Sequence, residues 1–160
     1  MKRSFIIFII IYTVGINISQ AQEMKKGMGL FNVGLGFIDG IGLNASYDYG
    51  LINYWGPGIF TVGGYIGFDN WSYERNIRAT EFGFAPRATY RYAIDRNFEV
   101  YGTAMLGARF TTYSDIKGNN SGIIFGITAG CRYTFARNIS VFAELGYSIS
   151  LFNGGLSFSF

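Results

Sequence analysis

Charged side chains are the residues of this chain that could carry chemistry, because the usual catalytic and metal-binding residue types are missing or scarce. The sequence has no histidine and one cysteine, Cys131. Histidine is the commonest general base and transition-metal ligand, so a Ser-His-acid site is impossible here. Cys131 alternates in step with bulky apolar residues, where a thiolate is strongly disfavoured, and we interpret it as an apolar filler. We therefore predict that the chain is not an enzyme.

Arginines and carboxylates recur in matching numbers on the small, polar face of alternating segments. We predict that they form a structural charge network inside a closed sheet, made of Asp48, Glu81, Arg87, Arg91, Glu99, Arg109, Arg132 and Glu144. A buried charge has to be paired, because stranding it costs several kcal/mol. Glu81 and Glu99 are equally compatible with exposed strand ends. Glu144 could also act as a buried acid, but a structural ion pair is the far commoner arrangement.

A Ca²⁺ site and a phosphate-binding loop are two other kinds of site that the residue types suggest but their spacing does not support. Asp39, Asp69 and Asp115 lie near predicted loops and could offer oxygen ligands to Ca²⁺, but they lack the D-x-D-x-D spacing of a calcium loop. Glycines inside the alternating segments do not open a helix, so we interpret them as space-makers rather than as a phosphate-binding loop. We expect no cofactor and no metal ion.

The first residues have the pattern of an export signal. Lys2 and Arg3 precede an apolar run from Phe5 to Ile11, and residues 19–21 offer small side chains for cleavage before Gln22. A retained membrane anchor is the alternative. The apolar run is shorter than the ~20 residues that a spanning helix needs, which favours cleavage.

Cleavage defines two regions, a signal peptide over 1–21 and a barrel domain over 22–160. The whole chain has 13 basic and 10 acidic residues, and removal of Lys2 and Arg3 leaves a mature net charge of +1. Neither a basic cluster nor a phosphate-cradling loop is present, so we expect no nucleic acid partner.

Composition and periodicity indicate an all-β domain with little water-facing surface. Charged residues make up 14% and aromatics 19% of the chain, whereas a soluble domain has about 25% charged residues. Period-two alternation broken by turn residues predicts eight strands. They are Gly29–Phe37, Ile41–Leu51, Ile59–Asp69, Ala79–Tyr92, Phe98–Tyr113, Gly122–Phe135, Ile139–Ser150 and Gly154–Phe160.

The composition of the polar face distinguishes a membrane barrel from a soluble sandwich, which also alternates. In the seventh segment, Val141 and Leu145 share one face, while Ser140, Glu144 and Gly146 share the other. A water-facing sheet would be rich in Lys, Glu and Thr on its polar face. Gly, Ser, Thr and Asn predominate here instead. Small residues suit the interior of a narrow barrel, and bulky apolar residues suit the lipid around it.

Aromatic residues and an internal repeat support the same arrangement. Residues 91–101 and 132–142 share the pattern R-Y-x-x-x-R-N followed by an apolar residue, any residue, Val and an aromatic. Each copy predicts a strand, a tight turn and a strand. We expect longer loops at the opposite end, over 70–78 and 114–121. Two outward belts are predicted, one of Tyr47, Tyr49, Tyr90, Tyr92, Tyr133 and Phe135 and the other of Phe37, Phe68, Phe110 and Tyr147.

Two features depart from a regular barrel pattern. Pro86 lies inside the fourth segment and cannot donate a ladder hydrogen bond, so it predicts a bulge or a break into two strands. The connection at Asp39 is very short for an outward loop, and the connection over 53–58 is long for a turn. The direction of the first hairpin is therefore left open.

The repeated aromatic–turn–strand units over 133–147 and the final strand Gly155-Leu156-Ser157-Phe158-Ser159-Phe160 resemble the small outer-membrane β-barrel family that includes OmpA/OmpX-like barrel domains. The resemblance spans about residues 28–160. It implies an eight-stranded antiparallel up-and-down transmembrane β-barrel, and it implies that Leu156, Phe158 and Phe160 act as the signal read by the barrel-assembly machinery. The signal region and Gln22 resemble Bacteroidetes proteins.

The resulting functional hypothesis is an integral protein of a Gram-negative outer membrane, exported by its signal peptide, with a structural or interaction role in the envelope. Its expected partners are outer-membrane lipids and, during insertion, the barrel-assembly machinery. A narrow ion or small-solute channel and a soluble lipocalin-like periplasmic binding barrel are the alternatives. Physiological role, ligand, conductance and oligomeric state do not follow from the sequence.

Overall fold

The computed structural model of the chain describes residues 24–37, 41–52, 56–73, 77–113, 119–148 and 150–160. The predicted signal peptide over 1–21 lies outside these described residues, as do Asp39 and Asp115. Within them the chain forms β1 (Gly29–Phe37), β2 (Ile41–Ile52), β3 (Ile59–Tyr73), β4 (Ile77–Asp95), β5 (Phe98–Tyr113), β6 (Asn119–Ala136), β7 (Ile139–Tyr147) and β8 (Phe152–Ser159). The predicted bounds of β1 and β5 are confirmed, and the other strands differ from prediction by a few residues.

The sheet closes on itself because each strand pairs antiparallel with the next and β1 pairs with β8. The closing ladder runs from the pair of Leu30 and Ser159 to the pair of Phe37 and Phe152. Full closure leaves no unpaired edge of the kind that makes open sheets aggregate. No helix among the described residues is long and apolar enough to cross a membrane. The predicted eight-stranded antiparallel up-and-down barrel is confirmed.

Side chains alternate between an apolar outside and a polar inside on every strand. Ile127 is 56% exposed and Leu145 60%, whereas the neighbouring inward residues Arg132 and Glu144 are 3% and 4% exposed. Large apolar side chains are exposed on every strand, and the buried positions are mostly Asn, Ser, Thr and charged residues. The orientation predicted from the alternation is therefore the one the fold adopts.

Two tight turns mark one end of the barrel, which we call the turn end. The first turn is made by Arg96 and Asn97, and the second by Arg137 and Asn138. Each turn follows a register shift, between residues 93 and 95 in the first hairpin and between residues 134 and 136 in the second. Both copies of the internal repeat therefore have a register shift at the same place before the turn. The opposite end is called the loop end.

The strands at the loop end extend further than the sequence predicted. β3 continues to Tyr73 and β4 begins at Ile77, with Asn70 paired to Thr80 across them. The prediction of a long connection over 70–78 is therefore wrong. Polar outward residues such as Asn70 resemble a loop in sequence, yet their backbone groups still pair in the ladder. β7 departs in the other direction, since it ends at Tyr147 rather than at Ser150.

Pro86 lies within β4 without breaking it or causing a bulge. On either side of it the register with β5 is the same, with Phe84 opposite Ala108 and Arg87 opposite Met105. The ladder to β5 is interrupted at Ala85 and Pro86, whereas the pairing of Pro86 with Gly64 on β3 is kept. The missing proline N–H thus removes ladder bonds on one side only, and the predicted bulge or break is wrong.

A short segment before β1 folds over the turn end. The Gly27 amide donates to the Gly50 carbonyl at 2.9 Å, and the Gly50 amide donates to the Met28 carbonyl at 2.9 Å. These bonds hold Met24 against Leu30 and Ile59, which are all buried. The lumen therefore has an apolar floor at this end.

Candidate functional site

Six of the described charged residues of the lumen come from five strands, whose alternation turns all six toward the axis. β2 supplies Asp48, β5 Glu99, β6 Arg132 and β7 Glu144. β4 supplies two buried arginines that are four residues apart, Arg87 and Arg91. Because successive inward positions on a strand are two residues apart, arginines four residues apart lie on the same face with Thr89 between them.

These six residues form one continuous chain of ion pairs, which we call the lumen network. Arg91 lies at its centre, with Nη2 2.6 Å from Asp48 Oδ2 and Nη1 2.8 Å from Glu99 Oε1. The other oxygen of Glu99 accepts a hydrogen bond from Arg132 Nη2 at 2.7 Å. The other oxygen of Asp48 lies 3.0 Å from Arg87 Nε, in a contact whose angle is poor for hydrogen bonding.

Arg87 extends the network to β7. Its Nη2 lies 3.4 Å from Glu144 Oε1. Three guanidiniums thereby face three carboxylates, Asp48, Glu99 and Glu144, so the formal charges of the network cancel. Cancellation matters because an unpaired buried charge would destabilise the fold by several kcal/mol.

Amide and hydroxyl groups satisfy the remaining carboxylate oxygens on the β1 and β8 side. Asn153 donates to Glu144 Oε2 at 3.2 Å and accepts a bond from Asn44 at 2.9 Å. Asn32 donates to the Ser46 hydroxyl at 2.9 Å and accepts a bond from Ser157. These asparagines were not among the residues predicted to form the network. Their inward parity on β1, β2 and β8 was the available signal.

Tyr101 packs against the network from β5. The Arg91 guanidinium lies over its ring, 4.6 Å from the ring centroid, in cation–π geometry. The opposite position on β6 is Gly130, and a Cβ added there would lie 2.5 Å from the Tyr101 ring. Glycine is needed at that position because the aromatic ring occupies the space of a side chain.

Arg109 and Glu81 do not join the lumen network. The Arg109 side chain is 52% exposed at the loop end, and its Nη1 lies 3.9 Å from Glu81 Oε2. Glu81 is buried and accepts a hydrogen bond from Thr111 at 3.2 Å. The prediction that all eight charges form one network is therefore wrong for this pair. Their strand positions place them near the loop end, where the guanidinium can stay hydrated.

An apolar layer separates the two sets of charges. Tyr65, Ala85, Met105 and Ile124 are buried together in the lumen. Along β4 from the turn end, Arg91 and Arg87 come first, Ala85 comes next and Glu81 comes last. The layer therefore lies between the lumen network and the pair of Glu81 and Arg109. The lumen network is thus covered by an apolar layer on the loop side, whereas at the turn end a cavity of about 250 Å³ is lined by Met24, Ile59, Arg91 and Glu99. This layer was not predicted from the sequence.

The other candidate residues have simpler surroundings. Cys131 is a free, partly buried thiol on the outer face. Asp69 is buried at the loop end, where its carboxylate accepts a bond from the Asn70 amide at 2.8 Å. Among the described residues, no three Cys, Asp or Glu side chains are grouped so as to hold a metal ion.

The last strand presents its predicted assembly residues on the outside. Leu156, Phe158 and Phe160 are all exposed, and their alternation with the buried Ser157 and Ser159 is regular. The Phe160 amide and carbonyl exchange hydrogen bonds with Gly29 at 3.0 and 2.9 Å. This geometry closes the barrel, while recognition by the assembly machinery stays a prediction.

Comparison with known proteins shows similarity at the level of the fold alone. No protein-family profile matches the chain, and no curated protein matches it. The N-terminal β-barrel domain of Pseudomonas aeruginosa OprF superposes with a TM-score of 0.62 at 17% identity, covering 86% of this chain and 100% of that one.

Two further solved structures show the same likeness. A de novo designed transmembrane β-barrel gives a TM-score of 0.52 at 17% identity, covering 87% of this chain and 100% of the design. Yersinia pestis Ail, the attachment invasion locus protein solved with the heparin analogue sucrose octasulfate, gives 0.53 at 16% identity, covering 86% of this chain and 100% of Ail. The chain therefore has the fold of a small transmembrane β-barrel.

Proposed function

We propose that this protein is an integral β-barrel of a Gram-negative outer membrane, with a structural or interaction role in the cell envelope. One observation carries the proposal: an apolar outer surface surrounds a lumen filled by a neutral chain of buried ion pairs. A soluble barrel would place its apolar residues inside and its charges in water.

The filled lumen favours a structural role over conduction. An eight-stranded barrel is only wide enough for side chains to fill. Here the lumen network lies between the layer of Tyr65, Ala85, Met105 and Ile124 and the floor of Met24, Leu30 and Ile59. A permeating ion would have to displace the layer of Tyr65, Ala85, Met105 and Ile124 and separate buried ion pairs, which opposes the alternative of a narrow channel.

The route to the membrane is part of the proposal. Export by a signal peptide over 1–21 and insertion by the barrel-assembly machinery through Leu156, Phe158 and Phe160 are supported by the sequence pattern. Outer-membrane lipids would then contact the exposed apolar side chains. The Bacteroidetes-type character of the signal region belongs to the same proposal.

Planar bilayer recordings test the choice between a structural barrel and a channel. The purified barrel should give no sustained conductance steps, because the apolar layer of Tyr65, Ala85, Met105 and Ile124 and the buried ion pairs block the lumen. The variant Met105→Ser removes an apolar side chain from this layer and should give at most brief channel openings. Steady ion conductance by the unmodified protein would contradict the structural role and favour the channel.

Cell fractionation with gel migration tests the soluble lipocalin-like alternative. The protein should sediment with the outer membrane, resist extraction until detergent is added, and shift in mobility only after boiling. Recovery in the aqueous periplasmic fraction without a heat-dependent shift would reject the membrane proposal.

A further inference from the structure

Strand β6 extends beyond the closed part of the sheet at the loop end. Closure removes free edges only over the height at which all eight strands are paired. β5 and β6 stay paired up to Thr112 and Asn119, whereas the ladder between β6 and β7 stops at the pair of Ile127 and Tyr147. The upper part of β6 therefore continues past its last described partner on β7.

The chain turns away from β6 after β7. The Leu151 amide donates to the Phe37 carbonyl at 3.1 Å, and the Leu151 carbonyl accepts a bond from the Gly146 amide at 3.0 Å. These bonds direct the chain toward β8 and β1. We call Asn119–Ile124 the β6 edge, since no described residue pairs with this stretch on the side opposite β5.

The backbone groups of Ser121 and Ile123 point out of the β6 edge. In an antiparallel ladder, the N–H and C=O of one residue face the same neighbouring strand, and successive residues alternate between the two neighbours. The Thr134 amide faces β5, because it donates to the Asn97 carbonyl at 2.8 Å. The register between β5 and β6 has no shift above this bond, so even-numbered residues of β6 face β5 and odd-numbered ones face the free side.

The β6 edge lacks the features that usually prevent a free edge from pairing. Natural edges are protected by charged side chains, proline or a bulge, or by a covering segment. Residues 119–124 have the sequence Asn-Asn-Ser-Gly-Ile-Ile, without a charge or a proline, and their ladder to β5 is regular. Ile123 is 78% exposed on the outer face. The edge can therefore accept a further strand.

This chain does not have a segment at the loop end that could supply the strand. The stretches outside the described residues there are 38–40, 74–76, 114–118 and 149. The longest has five residues and joins β5 directly to β6. Residues before 24 join the described chain at the turn end, on the opposite side of the membrane.

A second copy in the same membrane does not fit the β6 edge either. The β6 strand of that copy would continue down into its own barrel. It would then follow the line next to β6 that β7 of the first copy already occupies. An extended segment of a different protein meets no such obstacle, because it can leave the edge where β7 ends.

The β6 edge lies at the outer limit of the lipid layer, a step that rests on the proposed function. Ile123 is ten residues along β6 from Tyr133, an outward residue of the aromatic belt at the turn end. At about 3.3 Å per residue and a strand tilt of about 40°, this separation is roughly 25 Å along the barrel axis, the height of an apolar band. Ser121 therefore lies above the lipid, where a partner can reach it.

We propose that the β6 edge binds an extended segment of another protein, which adds as an antiparallel strand beside Ser121 and Ile123. Main-chain hydrogen bonds supply the affinity in this mode of recognition, and alternate side chains supply the specificity. The exposed Ile123 side chain selects an apolar neighbour on the outer face of the added strand. The segment extends the sheet of β3 to β6 along the line of β7.

Amide hydrogen exchange of the folded, ¹⁵N-labelled full-length barrel in detergent micelles tests this proposal. The probe is an acetylated and amidated synthetic peptide of alternating Thr and Val with a Lys at each end. In the barrel alone, the Ser121 and Ile123 amides should exchange rapidly, whereas the Ile124 amide, which faces β5, should be protected. Saturating peptide should slow exchange at Ser121 and Ile123 roughly tenfold or more and leave Ile124 unchanged.

Ser121→Pro and Ser121→Ala form a matched pair of variants. Proline removes one donor of the β6 edge and leaves the ladder to β5 intact, because the amide of residue 121 faces away from β5. Ser121→Pro should abolish the slowing at Ile123, and Ser121→Ala should keep it. An unchanged heat-dependent gel shift confirms that both variants fold.

Four results would overturn the proposal. These are protected edge amides in the barrel alone, no slowing by the peptide, an equal response of Ser121→Pro and Ser121→Ala, and protection that increases with barrel concentration. The last result would assign the edge to a second copy. The exchange measurement in micelles does not depend on where the protein resides in the cell, so its failure is distinct from a failure of the fractionation experiment.

Discussion

Glu99 pairs with two guanidiniums, whereas Glu81 has a single distant cationic partner. This difference determines how much each carboxylate contributes to stability. Replacing Glu99 by Gln removes the charge opposite Arg91 and Arg132, which are both buried. We expect Glu99→Gln to lower the free energy of unfolding by about 3–5 kcal/mol, because it strands buried positive charge. Urea unfolding of the barrel in detergent or lipid vesicles measures this loss.

Glu81→Gln is the matched control, since it makes the same chemical change in another buried carboxylate. Its cationic neighbour Arg109 is 3.9 Å away and half exposed, and the Thr111 bond can persist with an amide. The expected loss is below about 1 kcal/mol. Equal losses for the two variants would show that the lumen network has no special energetic role.

Gly63 and Gly64 are neighbours in β3 with opposite steric surroundings. A Cβ at Gly63 would lie 1.7 Å from the Tyr47 carbonyl oxygen, and a Cβ at Gly64 would have nothing within 4 Å. We expect Gly63→Ala to cost about 3 kcal/mol or to prevent folding, because backbone atoms have to move apart. Gly64→Ala should change stability by less than about 0.5 kcal/mol. The folded yield and the urea midpoint measure both effects, and similar values for the two would contradict the tight β2–β3 approach.

At the scale of the strand, alternation predicted which residues face the lumen. It did not predict how far along the barrel axis each of them lies. Arg109 and Arg132 both have inward parity, yet one reaches water at the loop end and the other is buried. Depth depends on strand tilt and on register between strands, which the order of residues within one strand does not encode. The same limit explains why the long loop over 70–78 was predicted where paired strands occur.

The lumen layer of Tyr65, Ala85, Met105 and Ile124 shows a second limit of sequence reasoning. Each of these residues has inward parity on its own strand, so the parity was visible in the sequence. Their meeting at one depth follows from the ladders between β3 and β6, which bring together residues far apart in the chain. Small and charged inward residues drew attention in the sequence, whereas apolar inward residues resemble ordinary core.

Leu106 and Ile94 allow a test of the lipid-facing surface at the level of the strand. Both are outward and 58% exposed, but Leu106 lies mid-strand in β5 and Ile94 lies beside the turn formed by Arg96 and Asn97. An arginine near the bilayer midplane costs about 2–4 kcal/mol, and near the interface about 0–1. We expect Leu106→Arg to destabilise the barrel in vesicles by about that larger amount and Ile94→Arg by the smaller.

The same pair distinguishes lipid from water around the barrel. If the outer face were hydrated, two residues of equal exposure would tolerate arginine equally, and the depth dependence would disappear. Urea unfolding in vesicles is the measurement that decides between these outcomes.

For the molecule as a whole, apolar side chains face outward and charged side chains face inward, which is the reverse of a soluble barrel. Closure of the sheet depends on the first and last described strands. β1 and β8 close the sheet, and the Phe160 ring stacks on Tyr47 with centroids 6.1 Å apart. A second aromatic pair, Phe37 on β1 with Phe152 on β8, has centroids 6.0 Å apart at the loop end of the closing ladder. The centroid separations of the two pairs are nearly equal, although the rings are stacked in the first pair and tilted in the second. Comparing the two pairs therefore separates a packing contact from an assembly signal.

Phe160→Ala and Phe37→Ala should therefore lose similar stability in vitro, about 0.5–1.5 kcal/mol for each aromatic pair. The backbone bonds between residue 160 and Gly29 do not need the aromatic ring, so the closing ladder should persist. In cells, only Phe160→Ala should lower the amount of heat-shifted, folded protein in the outer membrane, because the proposed assembly signal includes the Phe160 ring. Quantitative blotting of boiled and unboiled membrane fractions measures this amount. An equal decrease for both variants would mean that Phe160 acts as a packing residue and that the terminal strand carries no separate assembly signal.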